Sequence, residues 1–345
     1  MRVCPECKIP YQVSRDLTWG EDGTFYTQKD QDVRMGFIEL SFWDDFINRL
    51  SERAGKDRVF EALSLGKYEG TSRYIGTILK GPLGHLARSQ VGARRAYTLL
   101  SEAYSALGLG RVEIDQYKKR KLLTGNSFDV YSLPCMMGDL KATFEVIERV
   151  KADISHKEWP NQVEFKISRL EGPMPEVPRA PQRTWPKAKA IVKFARCATC
   201  GLPTDLHTFR WNPENGIITD TRNDERVFMM GLVSLEAMWK RMHEMLGDIV
   251  WEVFREANVA YGERLVESGI VTKLEDLKGD LLLKGLGSAT IGACDCGTVI
   301  EVANPFNKYH LEGRVVGVHK VLKGRAPHVT MVIRPGLMRL TVSDD

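Results

Sequence analysis

Two Cys-x-x-Cys motifs that stand 193 residues apart open an internal repeat, and this repeat constrains the fold more than any other feature of the chain. Cys4-Pro-Glu-Cys7 recurs as Cys197-Ala-Thr-Cys200. Further matches follow in the same order at offsets of 192 or 193: Trp19 with Trp211, Gly23 with Gly216, Asp32 with Asp224, Arg34 with Arg226, and Tyr68 with Tyr261. Self-similarity at one offset indicates a duplicated folding unit. The 345 residues suggest about two domains on length alone, and the repeat predicts that the two are copies.

A second block of matches continues the repeat at a shorter offset of 178. Its members are Asn126 with Asn304, Phe128 with Phe306, Tyr131 with Tyr309, and Leu133 with Leu311. The change from 193 to 178 means that the first copy holds about 15 additional residues. We assign them to the stretch from Gly81 to Arg95.

The two copies are separated by a proline-rich segment. Residues 1–170 form the first predicted unit and residues 195–345 the second, with a linker over 171–194. The linker contains Pro173, Pro175, Pro178, Pro181 and Pro186. Prolines at this density exclude a helix and disfavour a central strand, so the linker is predicted to be extended and semi-rigid.

The order of hydrophobic patterns is the same in both copies and predicts an α+β fold. Each copy begins with its Cys-x-x-Cys element and a β-hairpin, for which the Asp/Asn-Gly turns are typical. Helices and an antiparallel sheet follow, and we expect the copies to pack about a pseudo-twofold axis. The predicted helices are Leu40 to Leu50, Val59 to Leu79, Leu140 to Val150, Leu235 to Met242, Ile249 to Val266 and Val315 to Leu322. The predicted strands are Arg111 to Tyr117, Val163 to Ile167, Thr298 to Val302 and Val329 to Ile333.

The composition says more about where the protein is located than about what it does. No uninterrupted apolar run approaches the roughly 18 residues of a membrane span, and the first residues lack an apolar signal core. A cytoplasmic and therefore reducing location is expected, in which paired cysteines favour metal or redox chemistry over disulfides. The net charge of +4 is mild and by itself does not point to a nucleic-acid partner.

Short glycine-based motifs in each copy carry a resemblance to a known family. The first copy has Glu21-Asp-Gly23, Arg34, Tyr68-Glu-Gly70 and Gly108-Leu-Gly110, and the second has Glu214-Asn-Gly216, Arg226, Tyr261-Gly262 and Gly285-Leu-Gly287. These motifs resemble the 4-vinyl-reductase-like domain, as in the sensor half of aromatic-responsive bacterial regulators. The resemblance implies a fold that binds small hydrophobic molecules such as phenols, hydrocarbons or tetrapyrrole precursors. Neither a phosphate-binding ATPase loop nor a helix-turn-helix pattern is found, so an activator of the usual design is not expected.

A hydrophobic ligand would need apolar walls and a few polar groups, and the aromatic residues on predicted helices and strands are the candidates. The predicted ligand residues are Trp43, Tyr68, Tyr104, Phe128, Tyr131, Trp239, His243, Tyr261, Phe306 and Tyr309. The competing interpretation is that each belongs to the ordinary core. Arg34 and Arg226 are predicted to form repeated salt bridges, either to Asp32 and Asp224 or to a neighbouring helix.

The cysteine pairs predict a metal site. Zinc is bound tetrahedrally, often by two Cys-x-x-Cys pairs. We expect Cys4, Cys7, Cys197 and Cys200 to share one structural zinc across the two copies. The alternative pairs Cys197 and Cys200 with Cys294 and Cys296, although the repeat gives the first copy no equivalent ligands. An iron–sulfur cluster would use the same thiolates, and a redox-active dithiol is also open. Cys135 is predicted to be a buried small hydrophobe.

Three functions follow from these observations. The leading hypothesis is a non-catalytic sensor or carrier of a small hydrophobic ligand, with a structural zinc and an open possibility of a homodimer. The second is a redox or iron–sulfur accessory to an enzyme. The third is a zinc-dependent nucleic-acid-binding protein, in which Lys118-Lys-Arg-Lys121 would contact phosphates. No catalytic residues are predicted, because neither a Gly-x-Ser-x-Gly nor a His-Glu-x-x-His motif is present.

Overall fold

The structure is a computed structural model that describes residues 1–28, 30–79, 89–174, 176, 188, 192–295 and 297–343. It is an α+β fold, as predicted. The helices are α1 Tyr11–Asp16, α2 Leu40–Ala54, α3 Lys56–Ile78, α4 Gln90–Ala106, α5 Leu133–Glu148, α6 Leu232–Leu246, α7 Ile249–Glu267, α8 Leu277–Leu283 and α9 Lys308–Lys323. Short 3-10 turns cover Thr204–Thr208 and Leu274–Asp276.

The strands form three sheets, all of them antiparallel. Strands of the first half are β1 Leu17–Trp19, β2 Phe25–Thr27, β3 Asp30–Glu39, β4 Arg111–Lys118, β5 Leu122–Phe128, β6 Ala152–Trp159 and β7 Gln162–Arg169. Those of the second half are β8 Phe209–Asn212, β9 Ile217–Asp220, β10 Glu225–Gly231, β11 Ser288–Cys294, β12 Gly297–Ala303, β13 His328–Arg334 and β14 Leu337–Ser343.

A six-stranded sheet in the order β1-β2-β3-β10-β9-β8 takes three strands from each half of the chain. Strands β3 and β10 pair at its centre, where Phe37 lies opposite Met229. The offset of 192 that relates Arg34 to Arg226 also relates these two facing residues. The ring of Phe37 also stacks on that of Phe209, with 4.3 Å between the ring centroids. The two halves therefore share one continuous hydrophobic core at this sheet.

Two four-stranded sheets complete the fold, in the orders β4-β5-β7-β6 and β11-β12-β14-β13. Phe128 pairs with Gln162 in one sheet and Ala303 with Leu337 in the other. These pairings relate the two sheets by an offset of 175. The offset of 178 read from the sequence is therefore wrong by three residues in this block. The equivalent of Tyr131 is Phe306, and that of Cys135 is His310.

The helices and strands of the second block are also longer or paired differently than the sequence patterns suggest. Helices α5 and α9 begin at Leu133 and Lys308, one to two turns before the predicted starts. Strand β4 corresponds to β11, which begins in the glycine-rich stretch after Gly287, whereas the predicted strand Thr298 to Val302 lies in β12.

Helices cross closely wherever glycine or another small residue lies at the contact. A Cβ at Gly66 would come within 2.5 Å of the Met238 Cα, so α3 and α6 pack backbone to backbone there. At Gly138 a Cβ would collide with the Ser64 carbonyl, and at Gly317 with the Val259 carbonyl. Helix α3 thus lies between α5 of its own half and α6 of the other, and α7 likewise contacts α9 and α2.

The predicted salt bridge between Arg226 and Asp224 is wrong, and among the described residues Arg34 and Arg226 both contact main-chain carbonyl oxygens. Arg34 donates hydrogen bonds to the carbonyl oxygens of Asn304 and Pro305, at 2.8 and 3.0 Å. Arg226 donates to the carbonyl of Asp129 in the corresponding strand-to-helix junction of the other sheet. Asp129 and Asn304 both have positive φ, 49° and 53°, which turns their carbonyls towards the arginines. Asp224 pairs instead with Arg210, and the side chain of Asp32 lies outside the described residues.

Two predictions fall largely outside the described residues. Most of the linker over 171–194 does so, as does the first part of the additional segment, residues 81–88. The end of that segment is visible as the first turns of α4, which Ser89 caps by accepting a hydrogen bond from the Gly92 amide at 3.0 Å.

Candidate metal centre

The first Cys-x-x-Cys motif forms a tight loop closed by its own main chain. The amide of Cys4 donates to the Ile9 carbonyl at 2.9 Å, and the amide of Lys8 donates to the Cys4 carbonyl at 2.9 Å. A bridge between Val3 and Pro10 closes the loop at its base. Lys8 reverses the chain with φ of 60°. This turn directs both cysteine side chains to the same side.

The second motif repeats these contacts. The amide of Cys197 donates to the Leu202 carbonyl and that of Gly201 to the Cys197 carbonyl, both at 2.9 Å. Arg196 bridges to Pro203, and Gly201 has φ of 73°. Glycine adopts this left-handed conformation without strain, whereas other residues do so at a cost. The two loops have the same hydrogen-bonding pattern although only their cysteines and closing proline are identical.

The four sulfur atoms converge at the place where the loops meet. The Cys4 and Cys197 sulfurs are 3.9 Å apart and the Cys7 and Cys200 sulfurs 3.4 Å apart. All four lie within 4.8 Å of one another. A tetrahedral ion with zinc–sulfur bonds of about 2.3 Å requires sulfur–sulfur separations of about 3.8 Å. Cys4, Cys7, Cys197 and Cys200 can therefore hold a metal ion, as predicted.

Main-chain amides favour the thiolate form of Cys4, whereas the pKa values of Cys7 and Cys197 are raised. Burial opposes ionisation of Cys4, but the amides of Cys7 and Glu6 outweigh it and lower the pKa of the Cys4 thiol to about 7. Burial raises the pKa of Cys7. Glu6 lies beside the Cys197 sulfur, at 3.2 Å, and accepts a hydrogen bond from Thr199 at 2.9 Å. The Cys200 amide favours ionisation of Cys197, but burial and the Glu6 carboxylate, which accepts a hydrogen bond from the thiol, oppose it and raise the pKa of Cys197.

Cys135 and Cys294 lie outside this cluster. Cys135 is fully buried, and its sulfur lies 3.6 Å from the Met238 sulfur. Cys294 is partly exposed at the end of β11, and Cys296 lies outside the described residues. Among the described residues, the group that could hold a metal contains only the four cysteines of the two loops.

The predicted ligand residues spread over the interior of the fold. Trp43, Tyr131, Trp239, Tyr261 and Phe306 are buried in the largest hydrophobic cluster, and Tyr104 and Tyr309 pack against it. Tyr68 is half-buried and donates a hydrogen bond of 2.5 Å to Glu145, while the Phe128 ring packs under Arg111. His243 is exposed beside Asp248. An open depression on the outer face of β11 and β12 is lined by none of these ten residues.

Sequence patterns did not reveal a network of buried charges between the halves. Glu39 contacts Lys284 and Arg314, each at 2.7 Å, and Lys284 contacts Asp280 at 2.7 Å. Arg222 joins Asp280 from the other side at 2.8 Å. Burial alone would raise the pKa of Glu39, but Arg314 and Lys284 hold it far below its usual range. No local signal marks such a network, because its members are far apart in sequence.

The first half has a smaller polar cluster in its interior. Lys67 lies 3.7 Å from Asp139, which also accepts a hydrogen bond from Thr71. Close by, two buried polar atoms have no hydrogen-bond partner among the described residues. They are the hydroxyl oxygen of Tyr104 and the Oδ2 atom of Asp139, whereas the hydroxyls of Tyr131 and Ser132 contact the weakly polar thiol of Cys135. Burial raises the pKa of Asp139 despite the Lys67 ammonium and the Thr71 hydroxyl.

Comparison of the chain with protein families, with curated proteins and with solved structures returned no match. Of the helices in the described part of the chain, none combines the length and the apolar character needed to span a membrane.

Proposed function

We propose that the chain is a non-catalytic binding protein built from two copies of one unit and joined by a single structural zinc ion. The observation that carries this proposal is the convergence of four thiols, two from each half, within 4.8 Å. Four cysteine ligands fill a tetrahedral shell, as in structural zinc sites, whereas catalytic sites keep one position open for water.

The fold supports the duplication. Related residues contact each other where the halves meet: Cys4 faces Cys197, Cys7 faces Cys200, and Phe37 faces Met229. Contacts between equivalent residues arise where an axis of twofold pseudo-symmetry passes between them. The axis therefore runs through the metal centre and the centre of the six-stranded sheet.

Zinc fits the sulfur spacing better than a cluster or a redox dithiol does. The thiolates of an iron–sulfur cluster bind different irons, and the short spacing here suits one ion. A thioredoxin-like dithiol follows a strand and opens a helix, but Cys4 and Cys7 lie in a loop that ends before α1. If the protein were a redox accessory, its cysteines would have to be reactive without the lowered pKa that a helix N-terminus gives to a thiol.

Elemental analysis combined with X-ray absorption of the purified full-length protein tests the identity of the metal. We expect zinc surrounded by four sulfur atoms at about 2.3 Å. Iron with short iron–iron distances, or zinc with nitrogen or oxygen ligands, would contradict a structural Cys4-type site.

A second proposal concerns the first half, where we infer a site for a small aromatic molecule that carries a polar group. It is supported by the unpartnered hydroxyl of Tyr104, because buried polar atoms are nearly always hydrogen-bonded, and by the neighbouring hydroxyl of Tyr131, which contacts the Cys135 thiol, a weak hydrogen-bonding group. In the second half, phenylalanine (Phe306) replaces Tyr131 and removes one of these hydroxyls. Of the ten predicted ligand residues, this proposal retains Tyr104 and Tyr131.

Calorimetric titration of the full chain with phenol tests this second proposal. We expect saturable binding that Tyr131→Phe weakens by about tenfold, the value of a lost hydrogen bond in a buried site. Tyr309→Phe is the matched control in the second half and should leave binding unchanged. Equal effects of the two variants, or binding that does not saturate, would contradict the site.

A further inference from the structure

One end of the sheet β4-β5-β7-β6 carries a concentration of positive charge that includes the run Lys118 to Lys121 and extends to neighbouring turns. Seven exposed basic residues, here called the basic end, lie at the turns and strand ends on this side. They are Lys118, Lys119, Arg120, Lys121, Arg149, Lys151 and Arg169. Among the described residues, none of the seven side chains forms an ion pair.

Main-chain hydrogen bonds hold the segments of the basic end together. The Arg169 amide donates to the Lys121 carbonyl at 3.0 Å, and the Leu170 amide donates to the Lys151 carbonyl at 2.8 Å. The Arg120 amide donates to the Glu148 carboxylate at 2.9 Å. Glu148 is buried, and its other contacts are the hydroxyls of Tyr97 and Tyr117. This acidic residue therefore fixes the turn from beneath without neutralising the surface.

The second copy shows that the fold does not require these charges. Its corresponding turn reads Cys294-Asp-Cys-Gly297, and its last strand ends at Ser343 before two aspartates. Among its described residues, the only basic ones at this end are Lys323, the last residue of the equivalent helix, and Arg325, which follows it by two positions. Since the same architecture forms with a nearly neutral end, the seven cations of the first copy point to a partner.

We propose that the basic end binds the phosphate backbone of nucleic acid without reading its sequence. The cations form a row across the ends of four strands, which spans about 15 Å at the usual strand spacing. Phosphates along one DNA strand advance about 3.4 Å each, so a row of this length faces several consecutive phosphates. A flat anionic membrane fits less well, because the outer face of the same sheet exposes Glu113, Asp115, Asp153 and Glu164.

Fluorescence anisotropy of the full-length protein with a labelled 20-base-pair DNA duplex tests the proposal. The affinity should fall steeply between about 50 and 200 mM salt. The triple variant Lys118→Gln, Lys119→Gln, Lys121→Gln should bind about tenfold or more weakly, and its salt dependence should be less steep by about three phosphate contacts. These residues lie in an exposed turn, and an unchanged circular dichroism spectrum would show that the fold is intact.

The matched control removes the same charge elsewhere. Lys56→Gln, Lys240→Gln, Lys323→Gln changes three exposed lysines outside the basic end and should leave the affinity within about threefold of that of the unaltered protein. If both triple variants weakened DNA binding equally, the affinity would depend on the net charge of the protein and not on the basic end, and the proposal would be overturned. Binding to phosphatidylserine vesicles but not to the duplex would overturn it in favour of a membrane surface.

Discussion

At the scale of single residues, the shape of the two Cys-x-x-Cys loops depends on the residue that reverses the chain after the second cysteine. Lys8 and Gly201 occupy the same place after the second cysteine and share a positive φ. The spacing of the cysteines made the ligands predictable, because two residues between them suffice to direct both sulfurs to one ion. The strained turn residue could be found only from the structure, since lysine gives no sequence signal for a left-handed conformation.

Gly201→Ala tests this view of the loop. A Cβ at φ of 73° costs about 1 kcal/mol, so we expect the metal-bound protein to lose about that much unfolding free energy in urea. Gly279→Ala is the matched control, because Gly279 lies within α8 with open space around it. That change should stabilise the protein by up to about 1 kcal/mol. Two changes of the same sign would contradict the account.

At the scale of secondary-structure elements, the sequence predicted the order of helices and strands but not how they pair. The second block was matched at 178 because Phe, Tyr and Leu happened to recur at that spacing, whereas the strand pairings require 175. Side-chain similarity gave the wrong offset because positions that correspond in the structure carry side chains of different chemical type. Cys135 corresponds in position to His310 and Asp139 to Arg314, and these differences accompany the different polar clusters of the two halves.

The buried charge network joins β3, α8 and α9, and a mutation can test its contribution to stability. Glu39→Gln would leave the buried Lys284 and Arg314 with less compensation. We expect a loss of about 3 kcal/mol or more in the free energy of unfolding at pH 7, since removal of one partner from a buried pair is costly. Glu244→Gln, at an exposed pair with Lys240, should cost less than about 0.5 kcal/mol.

The pH dependence of the same variant gives an independent check. Because the folded pKa of Glu39 lies below its usual value, its stabilising contribution is present above the unfolded pKa of about 4.3 and is lost as the pH falls below it. The difference in unfolding free energy between Glu39→Gln and the unaltered protein should be constant near neutrality and shrink below about pH 4. A difference that grows on acidification would be incompatible with an ionised Glu39.

At the scale of the whole molecule, the two halves of the chain pack into one shared sheet and core. Each contributes three strands to the six-stranded sheet, and α3 of one half packs on α6 of the other. The repeat predicted two related units, but their interpenetration depends on contacts between residues some 190 positions apart, which no local pattern encodes. The metal centre lies where these halves meet and would fasten the first residues of the chain to the second copy.

Native mass spectrometry of the full chain measures most directly whether one ion is shared between the copies. We predict one metal ion per chain in the unaltered protein and in Cys294→Ser, and its loss in Cys4→Ser and in Cys197→Ser alike. Two ions per chain, or loss of the ion from only one of these two variants, would contradict a shared site.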